Sequence, residues 1–305
     1  MDEFWQQVVT GLATGSVYGL LALAIVLIYR STSVINFAQG EMAMFTTFVA
    51  WSVLQWNGEY WVMFPLVVLM AAGIGAFIER VIIRPVEGAP VLNIIIVTLG
   101  MFAILNNVAT WRWGGIPKGF PAPPEIHVAG VKFMGEGALD IGPTVVSYHD
   151  LTILVFAVAI MIGLYLFFQY TPTGLAMRAT AQNPIASRLM GIRVGRMLTV
   201  GWALSATVGA VAGLLIAPLI LLQPPMMMGV LLYAFAAAVL GGLDSPVGAV
   251  VGGLIIGITE NLVGTYTPKE WLGPDMKLSV TLLIIVVVLL IRPTGIFGRR
   301  AMRRV

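Results

Sequence analysis

Nine apolar runs separated by short polar segments set the fold class of this chain. Of its 305 residues, 59% are hydrophobic and only 10% are charged, whereas soluble domains carry about 25% charged residues. A helix that spans a bilayer needs roughly 20 mostly apolar residues. The sequence therefore predicts an all-α, polytopic transmembrane helical bundle in a single domain, residues 1–305. The candidate spans are 7–29, 41–57, 61–83, 91–111, 151–170, 198–222, 229–243, 246–264 and 278–292.

Because two of these runs are ambiguous, the sequence predicts either eight or nine membrane crossings. The runs 229–243 and 246–264 are short, rich in glycine and separated only by a turn around Asp244. They are either two tilted helices or a pair of partial spans inside the bundle, since irregular backbone at membrane depth needs protein or a cavity around it. No basic segment precedes the first span, which predicts an uncleaved helix and no signal peptide.

Arginines are concentrated in two segments, which predicts the orientation of the chain. The loop 171–197 contains four arginines and no acidic residue, and the tail from residue 292 adds five arginines. Because basic residues collect on the cytoplasmic side, we expect the N-terminus outside, the C-terminus in the cytoplasm and the loop 114–150 outside. These arginines are Arg178, Arg188, Arg193 and Arg196 in the loop, and Arg292, Arg299, Arg300, Arg303 and Arg304 in the tail.

The loop 114–150 is the longest segment between the apolar runs and is rich in proline and glycine. Residues 125–133 alternate in part between apolar and polar side chains. That alternation favours a short strand or a hairpin.

Motifs for enzymatic chemistry are missing from the sequence. There is no G-x-x-x-x-G-K-[ST] phosphate loop, no H-E-x-x-H zinc motif and no cysteine. Both histidines lie in the loop 114–150, so a buried serine–histidine pair for proteolysis lacks its base. We therefore expect a transport subunit that is not an enzyme and that itself binds no cofactor or metal. The basic pI of about 9.3 reflects the arginines and does not indicate nucleic-acid binding.

Five polar residues in or beside the predicted spans are candidates for lining a translocation pathway. Glu41 is either an acid at the membrane interface, favoured there by the helix dipole, or part of a polar break that lines the pathway. Asn106 and Asn107 are adjacent and therefore cannot share one helix face. One of the two is expected to bond to another helix. The candidates are Asn36, Gln39, Glu41, Asn106 and Asn107.

Glycines at helical spacing predict close helix crossings. Such smooth surfaces serve either static packing or sliding of bundle halves during alternating access. The stripes are Gly11, Gly15 and Gly19, then Gly209 and Gly213, then Gly248, Gly252 and Gly253. The adjacent charges Glu79 and Arg80 are expected to pair locally at the inner surface.

The loop 171–197 carries the signals of a short folded helix. Asn183 before Pro184 is typical of a helix start, and Gly191 of a helix end. Ile185, Leu189 and Ile192 recur at helical spacing and share one face, whereas Arg188 projects elsewhere. A helix this short needs a surface to pack on. That surface is either the ends of the membrane helices or a soluble partner.

Three stretches of this sequence resemble the permease subunits of bacterial ABC importers for branched-chain amino acids, the Liv type. The first runs from Gly15 to Met42 and contains N-F-A-Q-G-E at 36–41. The second is R-A-T-A-Q-N at 178–183, followed by Ala186 and by L-M-G-I at 189–192. The third is R-P-T-G-I-F-G at 292–298. The resemblance covers nearly the whole chain, in family order.

This resemblance implies one subunit of a larger importer in the bacterial plasma (inner) membrane. A second permease subunit, expected to be a paralogue, would complete the path. Two separate ATPase subunits would hold ATP and Mg²⁺, and a periplasmic or extracellular binding protein would deliver the solute. Translocation would proceed by alternating access. The loop 171–197 would couple to the ATPase through Arg178, Ala179, Ala181, Asn183, Ala186, Arg188, Leu189, Gly191 and Ile192.

Two alternatives stay open at this point. One is an ABC permease for another small solute, such as urea, an amide or a sugar. The other is a secondary transporter or channel without an ATPase, for which more coordinating polar residues at broken midplane helices are expected.

Overall fold

Helices form most of the chain in the computed structural model, which describes residues 2–32, 34–128, 131–135, 137–141, 144–266, 276–292 and 294–298. Each of the nine apolar runs falls on a helix, which confirms the all-α fold class. The helices are α1 (Asp2–Thr32), α2 (Gln39–Asn57), α3 (Tyr60–Ile78), α4 (Val91–Trp113), α5 (Tyr148–Tyr170), α6 (Pro172–Gln182), α7 (Pro184–Leu189), α8 (Val194–Ile220), α9 (Met226–Gly241), α10 (Pro246–Tyr266) and α11 (Met276–Ile291).

Six helices of the described residues are long and apolar enough to cross a membrane. The helix α9 is apolar but shorter. Eight or nine crossings and the orientation of the termini stay predictions, and Arg299, Arg300, Arg303 and Arg304 lie outside the described residues. The six long helices comprise Glu3–Thr32, Tyr60–Val86, Val91–Trp113, Tyr148–Tyr170, Val194–Ile220 and Pro246–Tyr266.

The loop 114–150 contains two small antiparallel hairpins. The strands β1 (Ile126–Val128) and β2 (Val131–Met134) form the hairpin expected at residues 125–133. A second hairpin, which the sequence reasoning did not predict, pairs β3 (Ala138–Ile141) with β4 (Thr144–Ser147).

The described residues divide into two compact units. One contains residues from 1–26, 122–157 and 229–305, and the other contains 27–121 and 158–228. In the first unit, the glycine stripe of α1 packs directly on α10: a Cβ atom on Gly15 would lie 2.8 Å from the carbonyl oxygen of Gly253. The predicted close crossing is confirmed for this helix pair.

In the second unit, α8 packs against both α2 and α3. A Cβ atom on Gly213 would lie 2.9 Å from the carbonyl oxygen of Ala43, so α2 and α8 touch backbone to backbone. Trp202 is 1% exposed and belongs to the main apolar cluster of this unit. That cluster comprises Ile28, Ala38, Met42, Ile78, Ile83, Met101, Trp202 and Ala206.

Two segments of the second unit depart from regular α-helix. The chain between α1 and α2 is irregular at 34–38, and there the side chain of Asn36 accepts a hydrogen bond from the Ala38 amide at 3.0 Å. The end of α3 widens into a π-helical turn at Glu79–Ile83 and then tightens into a 3₁₀ turn at Arg84–Val86. Single π turns occur frequently at functional sites.

Candidate functional site

The short helices α6 and α7 each begin with a proline that follows a capping residue. Thr171 Oγ1 accepts a hydrogen bond from the Gly174 amide at 3.0 Å. Asn183 Oδ1 accepts one from the Ala186 amide at 2.9 Å, which confirms the predicted start of α7. Gly191 has φ +80, a backbone conformation that favours glycine, and it follows the end of this helix as predicted.

The apolar face of α7 is not covered by the described chain. Ile185 is 73% exposed and Leu189 is 84% exposed, and Met190, which the sequence reasoning did not single out, is 82% exposed. The opposite side of α7 packs against the rest of the chain at Ser187, which is 4% exposed. The described chain therefore covers the Ser187 side of α7 and leaves its apolar face open.

The remaining predicted coupling residues lie on α6, at the start of α7 and along it, and in the turn that follows α7. Arg178 Nη1 donates a hydrogen bond to Gln169 Oε1 at 3.1 Å, which ties α6 to the end of α5. Half-buried among the others are Ala179 and Ile192, and exposed are Ala181, Asn183, Ala186, Arg188 and Gly191.

A buried polar chain joins the start of α2 to the middle of α8. Asn36 Nδ2 donates to Gln39 Oε1 at 3.2 Å. Gln39 Nε2 donates to the Ser205 carbonyl at 3.2 Å, and Ser205 Oγ donates back to Gln39 Oε1 at 3.1 Å. All three residues are fully buried. The sequence brought forward Asn36 and Gln39, but Ser205 carried no distinguishing signal among the hydroxyl residues of α8.

Glu41 lies inside the second unit and not at a surface. Its side chain is 1% exposed, and Oε2 accepts a hydrogen bond from Asn106 Nδ2 at 3.2 Å. Asn106 lies about two-thirds of the way along the 23-residue helix α4. Glu41 also lies in the first turn of α2, where the helix dipole favours an acid, so both interpretations of Glu41 stay predictions.

The two asparagines of α4 have different environments, as their adjacency predicted. Asn106 contacts Glu41 of α2 and also donates to the Pro224 carbonyl at 3.3 Å. Asn107 is exposed and donates only to Ala103 of its own helix, at 2.7 Å. The structure thus brings Asn36, Gln39, Glu41 and Asn106 into buried or half-buried polar contacts but leaves Asn107 outside them.

The expected pairing of Glu79 with Arg80 is wrong. Glu79 pairs with Arg84, whose Nε and Nη2 atoms lie 3.1 and 2.9 Å from its two carboxylate oxygens. Thr199 Oγ1 of α8 also donates to Glu79, at 2.7 Å, whereas Arg80 is exposed. The π-helical turn explains the change of partner, because its i→i+5 spacing brings residue 84 beside residue 79.

No three histidine, aspartate or glutamate side chains in the described part of the chain lie close enough together to hold a metal ion. The second unit thus contains three features: the buried polar chain between α2 and α8, the Glu79–Arg84 ion pair at one end of its helices, and the uncovered apolar face of α7.

Comparisons with known proteins identify the family. The sequence model of the branched-chain amino acid transport system / permease component family matches residues 7–289. The high-affinity branched-chain amino acid transport system permease protein BraD of Pseudomonas aeruginosa is 32% identical, over 99% of this chain and 98% of its own. The permease protein LivH of Salmonella typhimurium, described in the same words, is 30% identical over the same shares.

A solved structure, PsaBC from Streptococcus pneumoniae in complex with Fab, is similar to this chain at a TM-score of 0.45 and 14% identity, covering 93% of this chain and 89% of that one. The family model spans most of the sequence, and the chain therefore belongs to the branched-chain amino acid transport permease family.

Proposed function

We propose that this chain is the membrane-spanning permease subunit of an ABC importer that moves branched-chain or related amino acids across the bacterial inner membrane. The observation that carries the proposal is the uncovered apolar face of α7, formed by Ile185, Leu189 and Met190. A capped helix with such a face fits the groove of a soluble partner. The sequence has no phosphate loop of its own, so ATP and Mg²⁺ belong to two separate ATPase subunits.

A path for mechanical coupling leads from α7 into the membrane helices. The turn after α7 is fixed by backbone hydrogen bonds, from Gly191 to the Arg188 carbonyl and from Ile192 to the Ser187 carbonyl, both 3.0 Å. The helix α8 starts at Val194, directly after this turn. A displacement of α7 by the ATPase therefore moves α8.

The helix α8 passes this displacement on through its side chains. Thr199 is bonded to Glu79 at the end of α3, and Ser205 is bonded to Gln39 at the start of α2. The polar residues Asn36, Gln39, Glu41 and Asn106, which are buried or half-buried, then line the pathway. The break before α2 is the kind of irregular backbone that membrane proteins keep beside a cavity. Alternating access then results when a movement of α8 rearranges the hydrogen bonds of Thr199 and Ser205.

The assembly that fits this subunit has a second permease, two ATPases and an external binding protein. The arginines of the loop 171–197 support a cytoplasmic position for α7, beside the ATPases. The loop 114–150, with its two hairpins, faces the binding protein on the other side.

The test is retention of the ATPase on the permease complex during purification. Leu189→Asp and Met190→Asp place charges on the apolar face, and we expect each to reduce ATPase retention by at least about tenfold, since a buried unpaired charge costs several kcal/mol. The matched control is Leu139→Asp, which changes another exposed leucine (44% exposed) in β3 and should retain the ATPase fully.

Uptake measurements separate the remaining functions. Leucine uptake by proteoliposomes should require ATP and the binding protein. Uptake that persists without the ATPase would make the chain a secondary transporter or channel. ATP-driven uptake of a sugar, an amide or urea, with no uptake of amino acids, would assign another solute.

A further inference from the structure

A cavity of about 120 Å³ lies in the second unit, among the ends of α1, α3, α4 and α8. On this measure a single water needs about 10–15 Å³, so the cavity has room for a small solute. It lies at the end of these helices that carries Glu79 and Arg84, the end that the arginine pattern assigns to the cytoplasm. None of the five pathway candidates except Asn36 lines it.

The wall of this cavity has two hydrogen-bond donors that are not used. The indole Nε1 of Trp202 is buried and has no partner among the described residues, although buried polar groups are nearly always bonded. Arg84 uses Nε and Nη2 for its bonds to Glu79, Thr199 and the Gly195 carbonyl. Its Nη1 donates to no described residue. Arg84 contacts Thr199 of α8, and Trp202 lies three residues after Thr199, so Arg84 and Trp202 meet at the same face of α8.

The wall of the cavity carries charged groups of both signs, which suits a zwitterion. Glu79, 1% exposed, accepts three hydrogen bonds from Arg84 and Thr199. A carboxylate offers about four acceptor positions, so about one remains for an ammonium group. The wall thus offers donors for a carboxylate and an acceptor for an ammonium. Glu87 also lines the cavity, so the wall holds one arginine and two glutamates. A purely anionic or purely cationic solute would leave one of these groups unmatched.

Much of the rest of the wall is aliphatic, although Ser31, Thr32, Asn36 and Thr98 also line it. Its apolar side chains are mainly β-branched or branched at Cγ, and they suit a branched hydrocarbon group because such surfaces exclude water around it. These side chains are Ile28, Val34, Ile35, Ile83, Ile94 and Leu198.

We propose that this cavity is a binding site for the transported amino acid at the cytoplasmic end of the permease, with Arg84 and Trp202 holding the carboxylate, Glu79 the ammonium and the aliphatic wall the branched side chain. The inference rests on the proposed function and adds the site where the solute pauses before release. Because Glu79 is bonded to Thr199 of α8, movement of α8 changes this site as well.

The experiment uses the assembled complex with its ATPases in nanodiscs, without the binding protein, labelled with 5-fluorotryptophan. The variants Trp202→Phe and Trp113→Phe identify two ¹⁹F resonances by their loss. Trp113 is the matched control, since its Nε1 already donates to Ser52 Oγ at 2.7 Å. We expect leucine to shift the Trp202 resonance in a saturable manner and to leave that of Trp113 in place. Leucinol, without a carboxylate, and 4-methylpentanoate, without an ammonium, should not shift either resonance at the same concentration.

Binding of radiolabelled leucine to the same nanodiscs provides the second measurement. Trp202→Phe removes one donor to a charged group and should weaken binding at least about tenfold, whereas Trp113→Phe should not change it. Ile94→Phe fills the cavity from a half-buried position and should abolish binding. This variant also tests the site if Trp202→Phe does not assemble.

The outcomes separate this inference from the proposed function. An unmoved Trp202 resonance and unchanged leucine binding in Ile94→Phe, with normal ATP-driven leucine uptake by the wild type, would overturn the inference alone. Absence of ATP-driven amino acid uptake by the wild-type complex with its binding protein would overturn the proposed function.

Discussion

The contact between Glu41 and Asn106 is the clearest case in which a single buried side chain depends on one partner. Glu41 is a potentially charged group with 1% exposure, and burying such a group is costly unless it is hydrogen-bonded. Asn106 supplies that bond and also satisfies the carbonyl of Pro224, in the irregular segment after α8. Polar residues inside membrane proteins are generally kept for function, and this amide links three parts of one unit.

Asn106→Leu should destabilise the permease by about 1–3 kcal/mol, because it leaves a buried carboxyl group and a carbonyl without a donor. Asn107→Leu is the matched control. It removes an exposed amide that bonds only to its own helix, and its effect should stay within about 0.5 kcal/mol. Thermal unfolding of the two purified variants, compared with the wild type, measures the difference. Equal unfolding temperatures for both variants would contradict a supporting role for the Asn106 contacts.

At the scale of helices, the crossing of α1 and α10 depends on the absence of side chains. Gly15→Ala would place a Cβ atom 2.8 Å from the backbone of Gly253, so the two helices must separate and lose contact along the stripe. We expect a loss of stability of about 1–3 kcal/mol, typical of overpacking.

The control for this crossing is Gly163→Ala in α5, where a Cβ atom would meet nothing within 4 Å. This variant should keep or raise stability, because alanine is the better helix former by about 1 kcal/mol. Detergent-resistance midpoints of the two variants provide the comparison. If Gly15→Ala were as stable as Gly163→Ala, the stripe would not hold α1 against α10.

The sequence predicted those elements whose signals are local. Long apolar runs predicted the membrane helices, and the Asn183–Pro184 pair predicted α7, because a side-chain cap and a fixed proline φ act within one turn. The same reasoning applied to Thr171 and Pro172 would have found α6, which starts with an identical arrangement. That helix was missed because its mixed composition has no long apolar run.

The parts of the site that escaped prediction depend on tertiary structure or unusual local geometry. The Glu79–Arg84 pair needs a π-helical turn, and neither a 3.6-residue period nor sequence adjacency places residue 84 beside residue 79. The partner of Gln39 is Ser205, 166 positions away, and no spacing rule connects them. Met190 lies just after α7 and is exposed, whereas the expected third apolar residue, Ile192, is half-buried.

For the whole molecule, the degree of enclosure differs sharply between the long helices. The apolar window of α1 is 89% buried and that of α8 is 67% buried, compared with 17% for α4 and 22% for α5. The exposed faces of α4 and α5 are apolar, and contact with water would be unfavourable. They therefore need lipid or a second permease subunit around them. The enclosed helix α8 follows directly after α7, which suits it to carry movement into the protein.

The orientation of the whole chain can be tested because its sequence contains no cysteine, so one introduced thiol reports one position. Leu189 in α7 and Leu139 in β3 are both exposed leucines. The arginines of the loop 171–197 predict that α7 faces the cytoplasm. A membrane-impermeant maleimide should therefore label Leu139→Cys in intact spheroplasts, and Leu189→Cys only after the membrane is permeabilised. Labelling of Leu189→Cys in intact spheroplasts would put α7 on the same side as the binding protein, where no ATPase can reach it, and coupling through this helix would be excluded.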